Sequence, residues 1–334
     1  MFHRLTALAL VASISTVSAQ AGDTWYGDFD VAAAAAKKSG KDLFVDFTGS
    51  DWCHWCIKLH EEVLGIDEFV ASAQKDYILV SLDFPRSEEV LAKVPNIERN
   101  KELAQKYKIQ GYPTVLLMDP AGVVYARTGY QPGGVDKYLA HLSEIGPAGK
   151  RALTASSKVL ADFAAARDEA SKTAAWEGCL KAIDGLGAGS PLADQLAGPV
   201  RWALTADPDN AKGMKKRALK ALLAVGVADD ELMTAGRELD PKNADGLLER
   251  VVEAQFGKVQ SKAAGEAGVA ALIGLNAMGF KDRELGFRLN FSAAHWCAGP
   301  LSDDEKVKTF VAAARSIGSD DSDALKALAQ LLEG

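Results

Sequence analysis

The 334-residue sequence contains few cysteines and methionines, no cluster of basic residues and no long apolar run after its first twenty residues. It has four Cys, five Met and a formal net charge of −7 at pH 7. The lack of a Lys/Arg-rich run argues against nucleic acid as a partner. No later segment approaches the ~20 apolar residues of a spanning helix, so no stable membrane span is expected in the mature protein.

The first 21 residues have the pattern of a secretory signal peptide. Arg4 is followed by an apolar stretch and then by small residues that permit cleavage after Ala19 or Ala21. We therefore expect an extracytoplasmic protein, periplasmic or secreted. Cysteines in such an oxidising compartment are usually either paired or catalytic.

Helical and strand-like segments alternate in the first half of the chain. A helix is predicted from Asp28 to Lys41, strands over 42–49 and 77–84, and a hairpin over 112–129, with helices between and after them. This alternation predicts an α/β domain with a central sheet. We assign it to residues 22–146.

The second half of the chain is rich in alanine and leucine, and the change occurs at the Gly/Pro-containing segment 145–149. An all-α domain is therefore predicted over residues 150–334. Asp207-Pro208 and Asp240-Pro241 begin two similar segments 33 residues apart, which is near the period of tetratricopeptide repeats. Two copies do not establish a repeat array, so a general helical domain without repeats agrees with the sequence at least as well.

The stretch "DWCHWCIKLH", residues 51–60, carries the clearest chemical signal. A c-type haem site would need His directly after the second cysteine, where Ile57 stands. Structural zinc would need four ligands, and although His60 could join the two cysteines, no second Cys/His pair lies nearby. A purely structural disulfide across two residues would stabilise little by chain entropy.

A redox-active dithiol fits the pattern better. The pair follows a strand and opens a predicted helix, where the helix N-terminus favours a thiolate at Cys53. Cys53 is expected to be the exposed sulfur, and Cys56, one turn further, to be partly shielded.

Three segments resemble the thioredoxin superfamily: "VDF" before the dithiol, "DWC" at it and "GYPT" before the hairpin. The resemblance extends from about Trp25 to Ile145. The longer segments "FTGSDWCHWCIKLHEEV" and "LDFPR" look like its extracytoplasmic thiol–disulfide oxidoreductase branch. The resemblance implies a thioredoxin-like α/β domain, with a central mixed sheet flanked by helices, ahead of the all-α part.

The resemblance also implies roles for individual residues. Cys53 becomes the nucleophile and Cys56 the resolving thiol, Asp46 the buried carboxylate that takes the proton of Cys56, and Pro113 a cis-proline facing the dithiol. Five neighbours become substrate-binding or modulating residues: Trp52, His54, Trp55, Tyr112 and Thr114. No cofactor and no metal site is implied.

Two further segments complete the predictions. Residues 84–98 form an insertion that we interpret as a solvated surface loop, with a partner contact as the alternative. Cys179 and Cys297 lie in the helical half, and their even number favours a disulfide between them in an exported protein. The alternative is two separate buried thiols.

The predicted function is thiol–disulfide exchange with protein thiols and disulfides, with a redox partner that resets the dithiol. One alternative is a client-binding helical-repeat protein with a regulatory dithiol. Another is a copper-handling protein that uses Cys53, Cys56 and His60, although the sequence lacks a methionine cluster. The sequence does not fix whether the dithiol reduces, oxidises or isomerises.

Overall fold

The computed structural model describes residues 25–257, 259 and 261–331. The predicted signal peptide, residues 1–21, lies outside the described residues. Within the described part of the chain, no helix is long and apolar enough to cross a membrane. The chain divides into two compact units, Met1–Val123 with Thr128–Leu142, and Val124–Arg127 with Ser143–Gly334.

A mixed five-stranded sheet organises the first half of the chain. Its strands are β1 Trp25–Tyr26, β2 Asp42–Thr48, β3 Tyr77–Asp83, β4 Thr114–Met118 and β5 Val124–Thr128. They lie in the order β1-β3-β2-β4-β5. β2 pairs in parallel with β3 and antiparallel with β4, and all its residues are buried. A strand buried in this way reads as a continuous apolar run, which makes the polar Asp46 within it conspicuous.

Six helices and one π-helical turn accompany the sheet strands. They are α1 Phe29–Ser39, α2 His54–Leu59, the π-helical turn His60–Leu64, α3 Asp67–Ala73, α4 Glu88–Leu91, α5 Ile97–Lys106 and α6 Gly134–Ala165. The Asp28 side chain caps α1, and Gly40 ends it with a φ of 71°, so the predicted glycine stop is confirmed. The α/β fold class with a central mixed sheet is likewise confirmed.

Helix α6 continues through the segment at which the domain boundary was predicted. Pro147 lies inside this helix of 32 residues. A Cβ atom on Gly149 would lie 2.5 Å from the carbonyl oxygen of Tyr125, so this glycine permits a close approach of two backbones and does not end the helix. The proposed boundary at residues 146–150 therefore falls inside a continuous helix, while the contact pattern separates the chain at 142/143.

The remainder of the described chain is helical, which confirms the predicted all-α character. Its helices are α7 Glu169–Asp184, α8 Ala193–Ala206, α9 Met214–Ala224, α10 Asp230–Leu239, α11 Leu247–Gly257, α12 Lys262–Met278, α13 Arg283–Ala298, α14 Asp304–Ile317 and α15 Ser322–Gln330. Their apolar side chains form two separate buried clusters. One is built mainly from α7–α11 and the other mainly from α11–α14.

The two similar segments 33 residues apart adopt the same loop. The Asp207 carboxylate accepts hydrogen bonds from the backbone N–H groups of Lys212 and Met214, and Asp240 does the same for Asp245 and Leu247. Each loop also has an asparagine and a glycine with positive φ at equivalent positions: Asn210 and Gly213, and Asn243 and Gly246. The internal similarity is thus a shared helix-connecting loop, and a tetratricopeptide array remains a hypothesis.

The predicted disulfide between Cys179 and Cys297 is wrong. Both thiols are free and fully buried, Cys179 in the first apolar cluster and Cys297 in the second. Each helix here packs mainly on its sequence neighbours, so residues far apart in the sequence fall into different clusters. Burial raises the pKa of Cys179 to about 11, which keeps it a neutral, apolar group.

We predict that the denatured, unreduced protein titrates two free thiols, because Cys179 and Cys297 are unpaired while Cys53 and Cys56 are joined. A thiol reagent such as dithionitrobenzoate in guanidinium measures the number. A count of zero free thiols would mean that Cys179 and Cys297 form a disulfide after all.

We predict that Asp240→Ala lowers the free energy of unfolding by about 2–4 kcal/mol, because it leaves three N–H groups of the loop without their acceptor, that of Leu247 buried and those of Ala244 and Asp245 partly buried. Asp209→Ala, an exposed position in the equivalent loop, is the control and should change stability by less than about 0.5 kcal/mol. Urea unfolding of the full chain measures both. Equal effects of the two substitutions would contradict the role assigned to Asp240.

Candidate active site

The dithiol lies where β2 gives way to helix α2. The carbonyl oxygen of Gly49 accepts hydrogen bonds from the N–H groups of Trp52 and Cys53, at 3.4 and 2.9 Å, which closes the loop after the strand. Cys53 is the N-cap residue of α2 and forms a disulfide with Cys56. The Cys56 N–H donates to Cys53 Sγ at 3.2 Å. This donor and the helix N-terminus both favour negative charge on Cys53 Sγ.

Neither sulfur-bearing residue is exposed in the disulfide form. Cys53 is 6% exposed and Cys56 is 3% exposed, so the expectation of an exposed Cys53 is wrong for this state. The accessibilities of the two cysteines are nearly equal, so the hydrogen bond to Cys53 Sγ and the N-cap position of Cys53 are what distinguish them.

Asp46 is a buried carboxyl group in the middle of β2. It is 5% exposed, and its Oδ1 atom has no hydrogen-bond partner among the described residues. Burial, and secondarily the negative charge of Asp83, raises the pKa of Asp46 to about 7. Tyr138 of α6 also interacts electrostatically with Asp46, and its phenol donates to the carbonyl oxygen of Gly129. A carboxyl group that titrates near neutral pH can accept and return a proton.

Residues 83–87 hold the loop that precedes Cys53. The Asp51 carboxylate accepts hydrogen bonds from the N–H groups of Arg86 and Ser87, and these bonds lower the pKa of Asp51. The indole N–H of Trp52 donates to the carbonyl oxygen of Phe84 at 2.8 Å. The guanidinium carbon of Arg86 lies 4.0 Å from the centroid of the Trp52 ring.

The start of the insertion at residues 84–98 is consequently not a free surface loop, because it packs on the dithiol loop. Asp51 and Arg86 were not predicted as site residues. Their role depends on a contact between segments more than thirty residues apart, and the only local signal was the adjacency of Asp51 to Trp52.

The Tyr112–Pro113 peptide bond is cis. The Tyr112 ring packs edge-on against Trp52, with 5.8 Å between centroids, and also contacts Phe84. The residues that precede Cys53 and Pro113 are therefore in contact with each other. Thr114 begins β4, pairs with Phe47 and donates its hydroxyl hydrogen to the carbonyl oxygen of Gly111.

An aromatic surface flanks the dithiol on the side of α2. Trp55 is 50% exposed, and its ring lies 5.1 Å from that of Tyr130. The Lys58 ammonium lies over both rings, at 5.4 and 5.3 Å, and the Tyr130 hydroxyl donates to Glu62 at 2.7 Å. Trp55 was predicted as a site residue from the sequence, whereas Tyr130 was not, although it directly follows the predicted hairpin.

The histidines near the dithiol do not complete a metal site. His54 is exposed and packs beside Trp55, His60 is exposed in the π-helical turn, and the His141 ring is hydrogen-bonded to Thr128. Within the described ranges, no three His, Cys, Asp or Glu side chains group closely enough to hold a metal ion. The copper alternative, which needs Cys53, Cys56 and His60 together, has no support from this geometry.

Comparison with known proteins agrees with this arrangement. Residues 29–143 match the family model described as a thioredoxin-like domain. The disulfide bond reductase DsbH of Chlamydia pneumoniae is 35% identical over 105 residues, which are 31% of this chain and 62% of DsbH. The thioredoxin-related protein DsbJ of the same organism is 32% identical over 95 residues, 28% of this chain and 26% of DsbJ. A solved structure of a DsbH oxidoreductase is 29% identical, covers 42% of this chain and 94% of its own, and has a TM-score of 0.32.

Residues 29–143 form a thioredoxin-like domain, and the resemblance predicted from the sequence is confirmed. The chain spans less than two thirds of the length of either DsbH or DsbJ.

We predict that Asp46→Asn stabilises the protein in a pH-dependent way. The unfolded chain ionises this group from about pH 4, whereas the folded protein keeps the proton up to about pH 7. Ionisation therefore favours unfolding increasingly from pH 4 to pH 7, and the full penalty above pH 7 is about 4 kcal/mol.

Asp46→Asn should raise the stability of this domain by about that amount at pH 8 and by little near pH 4. Hydrogen exchange of the β2 amides reads the stability of this domain without that of the helical half. Asp76→Asn, an exposed position with the same change in charge, is the control and should have little effect. A gain from Asp46→Asn that is equal at both pH values would show that ionisation of Asp46 is not its cause.

Proposed function

We propose that the protein is a thiol–disulfide oxidoreductase that acts on protein disulfides through Cys53 and Cys56. The observation that carries the proposal is the disulfide at the start of α2, with the Cys56 N–H donating to Cys53 Sγ, on a thioredoxin-like domain. A relative named as a disulfide bond reductase supports the same chemistry. The relatives do not support the client-binding or copper alternatives.

In the first step the Cys53 thiolate attacks one sulfur of a substrate disulfide. A bond forms between Cys53 Sγ and that sulfur, the substrate S–S bond breaks, and its electron pair leaves with the other substrate sulfur as a thiolate. The hydrogen bond from the Cys56 N–H and the N-terminus of α2 stabilise the attacking thiolate before the step.

In the second step Cys56 releases the substrate. Its thiol gives a proton to the Asp46 carboxylate, and its sulfur attacks Cys53 Sγ. The Cys53–Cys56 disulfide forms, the bond to the substrate breaks, and the second substrate sulfur leaves as a thiolate. Two electrons have then passed to the substrate, and a dithiol partner must reduce the protein again. The reverse sequence would oxidise a substrate dithiol.

Substrate would contact the residues around the dithiol. Trp52, His54, Trp55, Tyr112 and Thr114 are proposed to bind or position it. Trp55 supplies exposed apolar area, and the backbone beside Pro113 would pair with an extended substrate strand. Export to an extracytoplasmic compartment belongs to the same proposal and is supported by the sequence of residues 1–21.

The test is reduction of insulin disulfides by the full mature chain with dithiothreitol as electron source. We predict that Cys53→Ser reduces turnover at least 100-fold, because the nucleophile is lost. Cys56→Ser should accumulate a mixed disulfide with the substrate, visible by mass spectrometry. Cys179→Ala removes a cysteine that lies in the core of the helical half and should leave turnover within about twofold. Undiminished turnover in Cys53→Ser would refute the proposal.

A further inference from the structure

A second carboxylate, that of Asp83, lies on the same face of the sheet as Asp46. In the parallel pairing of β2 with β3, Asp46 lies opposite Ser81 and Thr48 lies opposite Asp83. Residues two apart along a strand share a face, so Asp83 is the diagonal neighbour of Asp46. Strand spacings of ~4.8 Å and ~3.3 Å per residue place the two positions roughly 8 Å apart.

Asp83 is also attached to the dithiol loop. One of its carboxylate oxygens accepts a hydrogen bond from the Ser50 N–H at 2.9 Å, and the other accepts one from the Ser50 hydroxyl at 2.5 Å. Ser50 lies three residues before Cys53. Its two donors are neutral, so they hold the Asp83 carboxylate in place without cancelling its charge.

The other groups around the two carboxylates leave this charge effective. From α6, Tyr138 faces Asp46, but burial raises the pKa of its phenol and keeps it neutral. In the loop beside Asp83, Asp51 and Arg86 carry opposite charges that interact with each other. From α2, the group that meets Asp46 in the proposed reaction is the Cys56 thiol.

We propose that Asp83 is a positioning residue that sets, through Asp46, the pH range in which Cys56 releases a bound substrate. The inference rests on the proposed function, in which Asp46 accepts the proton of Cys56. A negative charge on Asp83 opposes ionisation of Asp46, so it moves substrate release toward higher pH and makes the ionised Asp46 a stronger base. The Ser50 hydrogen bonds fix the carboxylate at the distance at which it has this effect.

The direct test is an NMR titration of the Asp46 carboxyl carbon in the reduced full-length protein. Asp83→Asn keeps the shape of the side chain and removes its charge. The Asp46 midpoint should move to lower pH by about 0.5–1 unit, as expected for a like charge at this range. Asp83→Ser is a second neutral variant that serves if the asparagine variant does not fold.

Two variants separate charge from structure. Ser50→Ala removes the hydroxyl hydrogen bond but keeps the backbone N–H bond and the carboxylate, so the Asp46 midpoint should stay close to that of the wild type. Asp76→Asn makes the same change in net charge at an exposed position just before β3, and should also leave the midpoint in place. A shift in Ser50→Ala as large as that in Asp83→Asn would overturn the proposal, as would no shift in Asp83→Asn.

The kinetic readout is release of thionitrobenzoate from its mixed disulfide with Cys53, followed by stopped flow across a pH series. Asp83→Asn should move the midpoint of the rate profile by the same amount as the NMR midpoint, which raises the rate at pH 6 about three- to fivefold. An unchanged rate profile beside a shifted Asp46 titration would show that Asp83 does not control release. Absence of Cys56-dependent release in the wild type would instead count against the proposed function, and the NMR titration would still report on Asp83.

Discussion

The hydrogen bond from the Cys56 N–H to Cys53 Sγ is the interaction on which the rest of this site depends. It exists because Cys53 is the N-cap residue of α2, and that position is fixed by the bonds from the Trp52 and Cys53 N–H groups to Gly49. A thiolate at this position receives a backbone donor and lies at the N-cap of the helix, whereas Cys56 lies inside the first turn. Since the two residues are almost equally buried, these two effects distinguish the attacking sulfur from the resolving one.

The surrounding structure keeps this position in place from two directions. Behind the dithiol, β2 is fully buried between two strands, and this burial raises the pKa of Asp46 to about 7. Beside the dithiol, the loop at residues 83–87 binds Asp51 and Trp52 and extends the contact to Tyr112. Asp83 also belongs to these residues. It is hydrogen-bonded to Ser50 of the dithiol loop, and its negative charge raises the proton affinity of Asp46.

Local sequence predicted the features that depend on nearby residues. The strands over Asp42–Thr48 and Tyr77–Asp83 follow from short apolar runs, and the helix that opens at Cys53 follows from the spacing of apolar residues after it. Features that depend on distant contacts were missed. β1 has two residues, too few to show a period, and it exists because it pairs with β3.

The failures in the helical half have the same origin. Gly146, Pro147 and Gly149 indicate a break by local rules, yet α6 continues through all three, and Gly149 serves a close approach to Tyr125. An even number of cysteines indicates pairing in an exported protein, yet Cys179 and Cys297 belong to different apolar clusters. In both cases tertiary packing overrides a rule that is correct for an isolated segment.

The central claim is that Cys53, rather than Cys56, is the reactive thiolate of the reduced protein. Its most direct measurement is the rate of iodoacetamide labelling of each cysteine from pH 4 to pH 9, resolved by mass spectrometry after quenching and digestion. We predict that Cys53 is labelled first and with a titration midpoint below the ordinary range of a cysteine thiol, while Cys56 is labelled more slowly across the series. Faster labelling of Cys56, or a single ordinary midpoint shared by both cysteines, would contradict it.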